Sequence, residues 1–241
     1  MTFLLVLLAT CLVVWATARL VGKCPAVLYV VSLGVAAASW LALLGDMPAG
    51  VGRALIMLVR HCYLPLSIFY AVMLIGALGE DSALRRRLQP VRGAWSIAGC
   101  LMVVGHLALY LAMYLPRLTS IASLRVNVVA MVALGLVLTV FTVVLGITSV
   151  KAVKKRMTAA RWKSVQRLSY GFWGATYVHL LMVLLPSAAA GSVAAEVNLS
   201  CYTAVFALYL VLRVRRAIID RTPAPSAVFD TTGEEFDSVA A

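Results

Sequence analysis

The sequence predicts an all-α bundle of about seven transmembrane helices, with the N-terminus outside and the C-terminus in the cytoplasm. Hydrophobic residues make up 63% of the 241 residues, charged residues make up only 12%, and the mean hydropathy is +0.99. A soluble domain usually has about 25% charged residues. Composition therefore excludes a water-soluble fold, a disordered chain and a coiled coil. The net charge of +12 then indicates basic loops on one membrane face, and no nucleic-acid partner is expected.

Seven apolar stretches are long enough to cross a hydrocarbon core, which takes about 20 residues each. The connections between them are short, so no soluble domain is inserted. The first stretch has no basic residue before it, and Arg19 and Lys23 follow its apolar run. A cleavable signal peptide has the opposite arrangement, so this stretch is interpreted as a true span. The predicted spans are 2–22, 26–44, 54–78, 94–116, 124–149, 168–188 and 193–213.

The distribution of basic residues predicts the orientation of the bundle. With the N-terminus outside and seven spans, 17 of the 21 Lys and Arg residues fall in cytoplasmic segments. Three fall outside, namely Arg53, Arg117 and Arg125, and Arg60 lies within the third span. Cytoplasmic loops of membrane proteins carry an excess of Lys and Arg, so this bias supports both the orientation and an odd number of spans.

Three histidines are the most informative polar residues in this apolar chain. His61, His106 and His179 are its only histidines, and all three lie within predicted spans. Ionisable groups inside a membrane are costly and usually functional. A rise of about 1.5 Å per residue places His106 ~21 Å above Arg92 and His179 ~18 Å above Arg167. The same rise places His61 ~12 Å below Arg53, so the three share one layer in the outer half of the membrane.

Two imidazoles at one depth on different helices can hold a haem iron from opposite faces and favour electron transfer over oxygen binding. Small residues beside them, such as Gly105 and Gly174, would let a flat ring approach the backbone. Arg60 could neutralise a haem propionate. An alternative stays open for each role. The histidines could instead form hydrogen bonds between helices, and the Arg60 side chain could extend its charge to the membrane–water interface.

Two stretches carry a resemblance to a known family. Residues 85–116 begin R-R-R-L and continue to His106 and Tyr110, four residues apart. Residues 147–186 contain Thr148 and Ser149, then a basic loop, then W-K-S-V-Q-R-L-S-Y and finally His179. The pattern resembles the ferric-reductase-like transmembrane family, and is most like the haem-binding membrane subunits of bacterial periplasmic methionine sulfoxide reductase systems.

The resemblance implies a b-type haem in the outer half of the membrane, held by His106 and His179. It covers about 130 residues. One position departs from it: the family has L-H-R-L where this chain has V-Q-R-L, so Gln166 replaces a histidine. Gln166 is therefore a candidate cofactor contact, but its side chain has no imidazole to bind a second haem iron. A single haem is expected. Quinone or FMN is left open as a further cofactor, with Tyr110, Tyr114, Tyr170 and Tyr177 as candidate hydrogen-bonding residues.

The predicted organisation follows from the spans and this resemblance. Residues 1–50 form two N-terminal transmembrane helices, 51–190 a ferric-reductase-like haem-binding core, and 191–221 the last transmembrane helix. Residues 222–241 contain two prolines and four acidic residues and predict a disordered acidic cytoplasmic tail.

The leading hypothesis is an electron-transfer subunit of an oxidoreductase system rather than a complete enzyme. It is a multi-pass protein of the bacterial cytoplasmic membrane, with the lipid bilayer as its surroundings. It takes electrons from a quinone or flavin donor and passes them to an extracytoplasmic redox partner protein. Two hypotheses from other classes stay open: a transporter or sensor with an intramembrane proton or ligand site at His and Arg60, and a structural membrane anchor.

Overall fold

The chain is a bundle of membrane-spanning α-helices, seen in a computed structural model that describes residues 2–118 and 126–220. These ranges contain no β-strand. The predicted tail, residues 222–241, and the predicted start of the fifth span, residues 124 and 125, lie outside the described residues. The helices are α1 Thr2–Lys23, α2 Pro25–Leu44, α3 Ala49–Arg60, α4 Tyr63–Ala77, α5 Ala83–Leu88, α6 Arg92–Leu118, α7 Val126–Ser149, α8 Lys151–Lys155, α9 Ala159–Ala189 and α10 Val193–Ile219.

The all-α polytopic class predicted from composition is confirmed. Within the described ranges, six helical segments are long and apolar enough to cross a membrane, and the bent pair α3 and α4 makes a seventh if it counts as one span. A short 3₁₀ turn, Gln89–Val91, joins α5 to α6. The chain is therefore a multi-pass membrane protein with a lipid bilayer around its apolar outer faces.

The predicted third span is not one continuous helix. It is broken between α3 and α4, which meet at an angle of 46°. Cys62 at the break has a left-handed backbone, with φ of 58°. Pro65 explains the position of the break, because a proline cannot donate to the carbonyl four residues earlier and its ring clashes there. In the first turn of a new helix the same proline is tolerated.

Helix α4 is the centre of the bundle, with ten of its 15 residues buried. One set of its side chains, including Phe69 and Tyr70, belongs to an aromatic cluster with residues of α9 and α10. Another set, including Ile68 and Val72, packs with residues of α1 and α6. Helix α2 packs on α6, and α7 packs on α9. The membrane core is thus organised around a short helix that begins at the break.

Two helices extend beyond the apolar stretches that predict them. Helix α9 begins at Ala159, nine residues before the predicted span, and α10 continues to Ile219 through Arg213, Arg215 and Arg216. Hydropathy detects only the part of a helix within the hydrocarbon, whereas Lys, Arg and Gln are good helix formers outside it. The Thr158 hydroxyl caps α9 by accepting from the backbone N–H of Arg161 at 3.3 Å.

A hydrogen-bonded clamp between α7 and α9 holds the polar end of α9 in place. Trp162 Nε1 donates to the carbonyl of Thr148 at 3.0 Å. Gln166 Nε2 donates to the hydroxyl of the same Thr148, also at 3.0 Å. The ammonium of Lys154 lies 4.1 Å from the centre of the Trp162 ring. The clamp fixes the register of α9, and so the depth of His179, against α7.

Close packing of α6 on α4 requires Gly99. A Cβ at this position would lie 2.8 Å from Cε1 of Phe69 and 3.2 Å from Cγ2 of Ile68, both buried. We expect Gly99→Ala to destabilise the protein by about 1–3 kcal/mol, because a packed core resists insertion of a methyl group. Thermal unfolding in detergent micelles measures the change. Gly34→Ala is the matched control, because a Cβ at Gly34 in α2 meets nothing within 4 Å; an equal loss in both variants would contradict the packing argument.

The clamp gives a second prediction for stability. We expect Thr148→Val, which keeps the shape of the side chain, to cost about 1–2 kcal/mol because the half-buried Gln166 amide loses its acceptor. Thr139→Val on the same helix is the control, since the Thr139 hydroxyl bonds only to the Gly135 carbonyl of its own helix. Urea or thermal unfolding in micelles reports the difference. Equal stability of Thr148→Val and the wild type would show that the bond between Gln166 and Thr148 contributes nothing.

Candidate functional site

His106 lies on α6 with one ring nitrogen fixed by the break in the third span. Its Nδ1 is 2.8 Å from the carbonyl oxygen of Arg60, the last residue of α3. A carbonyl can only accept, so Nδ1 carries the proton and donates it. In the neutral imidazole this leaves Nε2 with a free lone pair. The broken span supplies that carbonyl, because a helix end leaves backbone oxygens without an intrahelical partner.

The small residue before His106 lets three helices meet at this point. A Cβ on Gly105 would lie 3.0 Å from Cβ of Ala36 and 3.0 Å from Cγ1 of Val59. Gly105 is itself buried. Helices α2 and α3 therefore pack directly against the backbone of α6 beside His106, and the position of the imidazole is set by backbone contacts.

Arg60 and Tyr110 form a polar cluster with His106. The Tyr110 and His106 rings are 4.8 Å apart and inclined at 52°. The Arg60 guanidinium lies close enough to the Tyr110 hydroxyl to interact with it electrostatically. Nε of Arg60 is buried and has no hydrogen-bond partner. The Arg60 side chain therefore extends into the bundle toward Tyr110, although its residue sits at a helix end.

His179 approaches this cluster from α9 and is half-buried. Its ring lies beside α7, where a Cβ on Gly135 would be 3.6 Å from Cε1. Nδ1 of His179 is buried without a hydrogen-bond partner, while the ring lies within range of the backbone at Met131 on α7. His106 is close enough to His179 and to His61 to interact electrostatically with both. His106 therefore lies within electrostatic range of both other histidines, and their common depth in the membrane stays a prediction.

His61 differs from the other two histidines. It caps α3 at the break in the third span and is exposed. Its ring stacks on Tyr63, with centroids 5.5 Å apart and planes at 24°. It interacts with the cluster from the edge, whereas His106 and His179 are half-buried between helices.

The structure places most of the other predicted residues away from His106. Gln166 belongs to the α7–α9 clamp and donates to Thr148. The Tyr177 hydroxyl pairs with Thr203 on α10 at 3.0 Å. Tyr170 lies under the guanidinium of Arg213, 5.2 Å from it. Tyr114 stacks on Tyr110 with centroids 6.0 Å apart. Tyr110 is thus the candidate tyrosine that lies directly beside an imidazole.

Sequence reasoning missed two parts of this region. The first is the backbone carbonyl of Arg60, for which Pro65 within a predicted span was the available signal. The second is Gly135 on α7, opposite His179, for which the sequence contains no signal. Within residues 2–118 and 126–220, no group of three or more His, Cys, Asp and Glu side chains could hold a metal ion. A haem iron takes only one or two ligands from the protein.

Comparison with known proteins leaves the family open. No protein-family model matches the chain, and no solved structure matches it. The chain is similar to an uncharacterized protein of Treponema pallidum (strain Nichols), with 38% identity over 159 residues. The alignment covers 66% of this chain and 44% of that protein, so the chain corresponds to less than half of its relative's length.

Proposed function

We propose that the protein is a b-type cytochrome of the bacterial cytoplasmic membrane. It would carry electrons from a quinol or a cytoplasmic flavin donor to a redox partner outside the membrane. The observation that carries the proposal is the approach of two imidazoles, His106 on α6 and His179 on α9, within an apolar helical bundle. These two histidines would hold the haem, and its iron would supply a centre that gains and loses one electron.

The two histidines suit the role of axial ligands. His106 donates from Nδ1 to the Arg60 carbonyl, and metal-bound histidines commonly donate their other ring N–H to a backbone carbonyl or carboxylate. That bond orients the ring and leaves Nε2 available. His179 keeps a buried nitrogen without a partner, whereas buried polar atoms are normally satisfied. A bound group would account for this unsatisfied atom.

Arg60 and Tyr110 are suited to contact the propionate side chains of the same haem. A guanidinium inside a membrane is costly unless an anion or strong acceptor accompanies it. Arg60 lies within electrostatic range of the Tyr110 hydroxyl and has no carboxylate partner within the described part of the chain. A haem propionate would supply that anion. Tyr110 would hold the guanidinium in place beside His106.

The polar cluster also suits a second function. Arg60, His106 and Tyr110 together could bind or relay a proton in a transporter or sensor, with no haem. The two hypotheses differ in one readily measured property, because only the cytochrome absorbs strongly in the visible range.

We expect the purified chain to carry one b-type haem, with sharp bands in the reduced spectrum. His106→Ala and His179→Ala should each lower the haem content per chain at least ~10-fold, since even the loss of a hydrogen bond to a metal ligand commonly costs that much. A pyridine haemochrome assay of protein expressed with ample haem measures the content, and gel filtration confirms folding.

His61→Ala is the matched control, because His61 is exposed at the edge of the cluster. It should retain most of the haem. A folded wild-type protein that stays colourless would exclude the cytochrome and favour the transporter or sensor. Loss of haem in His61→Ala combined with retention in His179→Ala would show that the ligand pair is a different one.

A further inference from the structure

A second polar region lies at the other end of the bundle from the break in the third span. It is a partly open cavity of about 210 Å³, lined by residues of α4, α6, α9, α10 and the segment around α5. Four arginines line it: Arg85, Arg92, Arg213 and Arg216. They come from two of the segments predicted to be cytoplasmic, so the fold gathers charges that are 131 residues apart in the sequence. At about 30 Å³ per water, the cavity has room for a group larger than a single ion.

Two acidic residues at this cavity are already engaged. Glu80 lies 3.5 Å from Arg85 and 3.6 Å from Arg216, and Asp220 lies 2.7 Å from Arg216. Within the described ranges, Arg92 and Arg213 form no ion pair. Four cations therefore face two carboxylates, and the cavity has an excess of two positive charges. Arg92 also interacts electrostatically with Arg85 and Arg213, and converging like charges are unfavourable without an anion.

The arginines of this cavity are not placed as residues that only determine membrane topology would be. An arginine that serves only topology extends its charge to the lipid headgroups or water. Arg92 instead turns inward, where its Nε donates to the Val72 carbonyl of α4 at 3.1 Å. A Cβ on Gly76 would lie 3.5 Å from Nη2 of Arg92, so this glycine leaves room for the guanidinium. The side chain of Arg216 is only 13% exposed.

We propose that this cavity binds a phosphate group. Guanidinium groups match the geometry of phosphate oxygens through paired N–H donors. The excess of two positive charges matches a phosphate carrying up to two negative charges. The phosphate belongs either to a lipid headgroup at the membrane surface or to a soluble phosphate compound. The site is independent of the proposed haem site, because the two share no residue.

The test uses the full-length protein in a neutral detergent, with two probes that distinguish the sources. Inorganic phosphate is titrated at constant ionic strength, with chloride as the reference anion, and thermal stabilisation is recorded. Phosphatidylglycerol is titrated by native mass spectrometry, with phosphatidylcholine as the reference lipid. Binding of phosphate indicates a soluble ligand group, whereas binding of phosphatidylglycerol alone indicates a lipid headgroup. Either result supports the site if the variants below respond.

We expect Arg92→Gln and Arg213→Gln each to weaken binding of the responding probe at least ~10-fold, as loss of a hydrogen bond to a charged group does. Arg213→Gln keeps the bond between Arg92 and Val72, so it separates binding from packing. Arg215→Gln on the same helix is the matched control, because Arg215 is exposed and does not line the cavity. It should bind like the wild type.

Two results would overturn the proposal. One is no binding of either probe by the folded wild-type protein beyond that of its reference. The other is an equal loss in Arg215→Gln and Arg213→Gln, which would mean that overall charge, and not the cavity, attracts the anion. Haem content measured on the same samples separates this proposal from the cytochrome, since neither arginine contacts the histidines.

Discussion

The hydrogen bond between Nδ1 of His106 and the carbonyl of Arg60 links the architecture of the bundle to its polar cluster. It exists because the third apolar stretch breaks before Pro65 and ends α3 at Arg60. A continuous helix would direct that carbonyl to its own backbone. Inside a membrane a free carbonyl needs a partner, and His106 supplies it. The same break lets Arg60 extend its side chain toward Tyr110, so one backbone irregularity organises three polar groups.

The central helix α4 connects the two polar regions. It begins at the break beside the histidines and ends near Gly76 and Glu80, which border the arginine-lined cavity. Between them its aromatic residues hold α9: Phe69 meets Phe172 edge to face at 5.4 Å, and Tyr70 lies 5.9 Å from Trp173. Aromatic packing of this kind is specific in geometry. It fixes α9, and with it His179, relative to α3 and α6.

Much of the architecture could be predicted from the sequence, because the hydrocarbon imposes a minimum length on apolar segments. The first two spans agree with α1 and α2 within a residue or two. The common depth of the histidines stays a prediction from helix rise, since a regular helix converts sequence separation into height. Hydropathy did not reveal the break in the third span or the polar start of α9, because it measures apolar content and not backbone geometry. Pro65 was the signal in the sequence for the break in the third span.

Other features depend on which helices become neighbours, and the sequence contains no local signal for that. Gln166 replaces a histidine in the resembling motif, but only the fold shows that its amide donates to Thr148 across α7 and α9. The basic segments predicted a cytoplasmic face, and only the packing of α4, α6 and α10 turns Arg92 and Arg216 inward around a cavity. The sequence by itself determined a multi-pass helical membrane protein, since composition and the length of the apolar stretches suffice for that, and it placed three histidines within the predicted spans. The tertiary structure decided which polar atoms meet, because that depends on helix packing and on a free backbone carbonyl at Arg60.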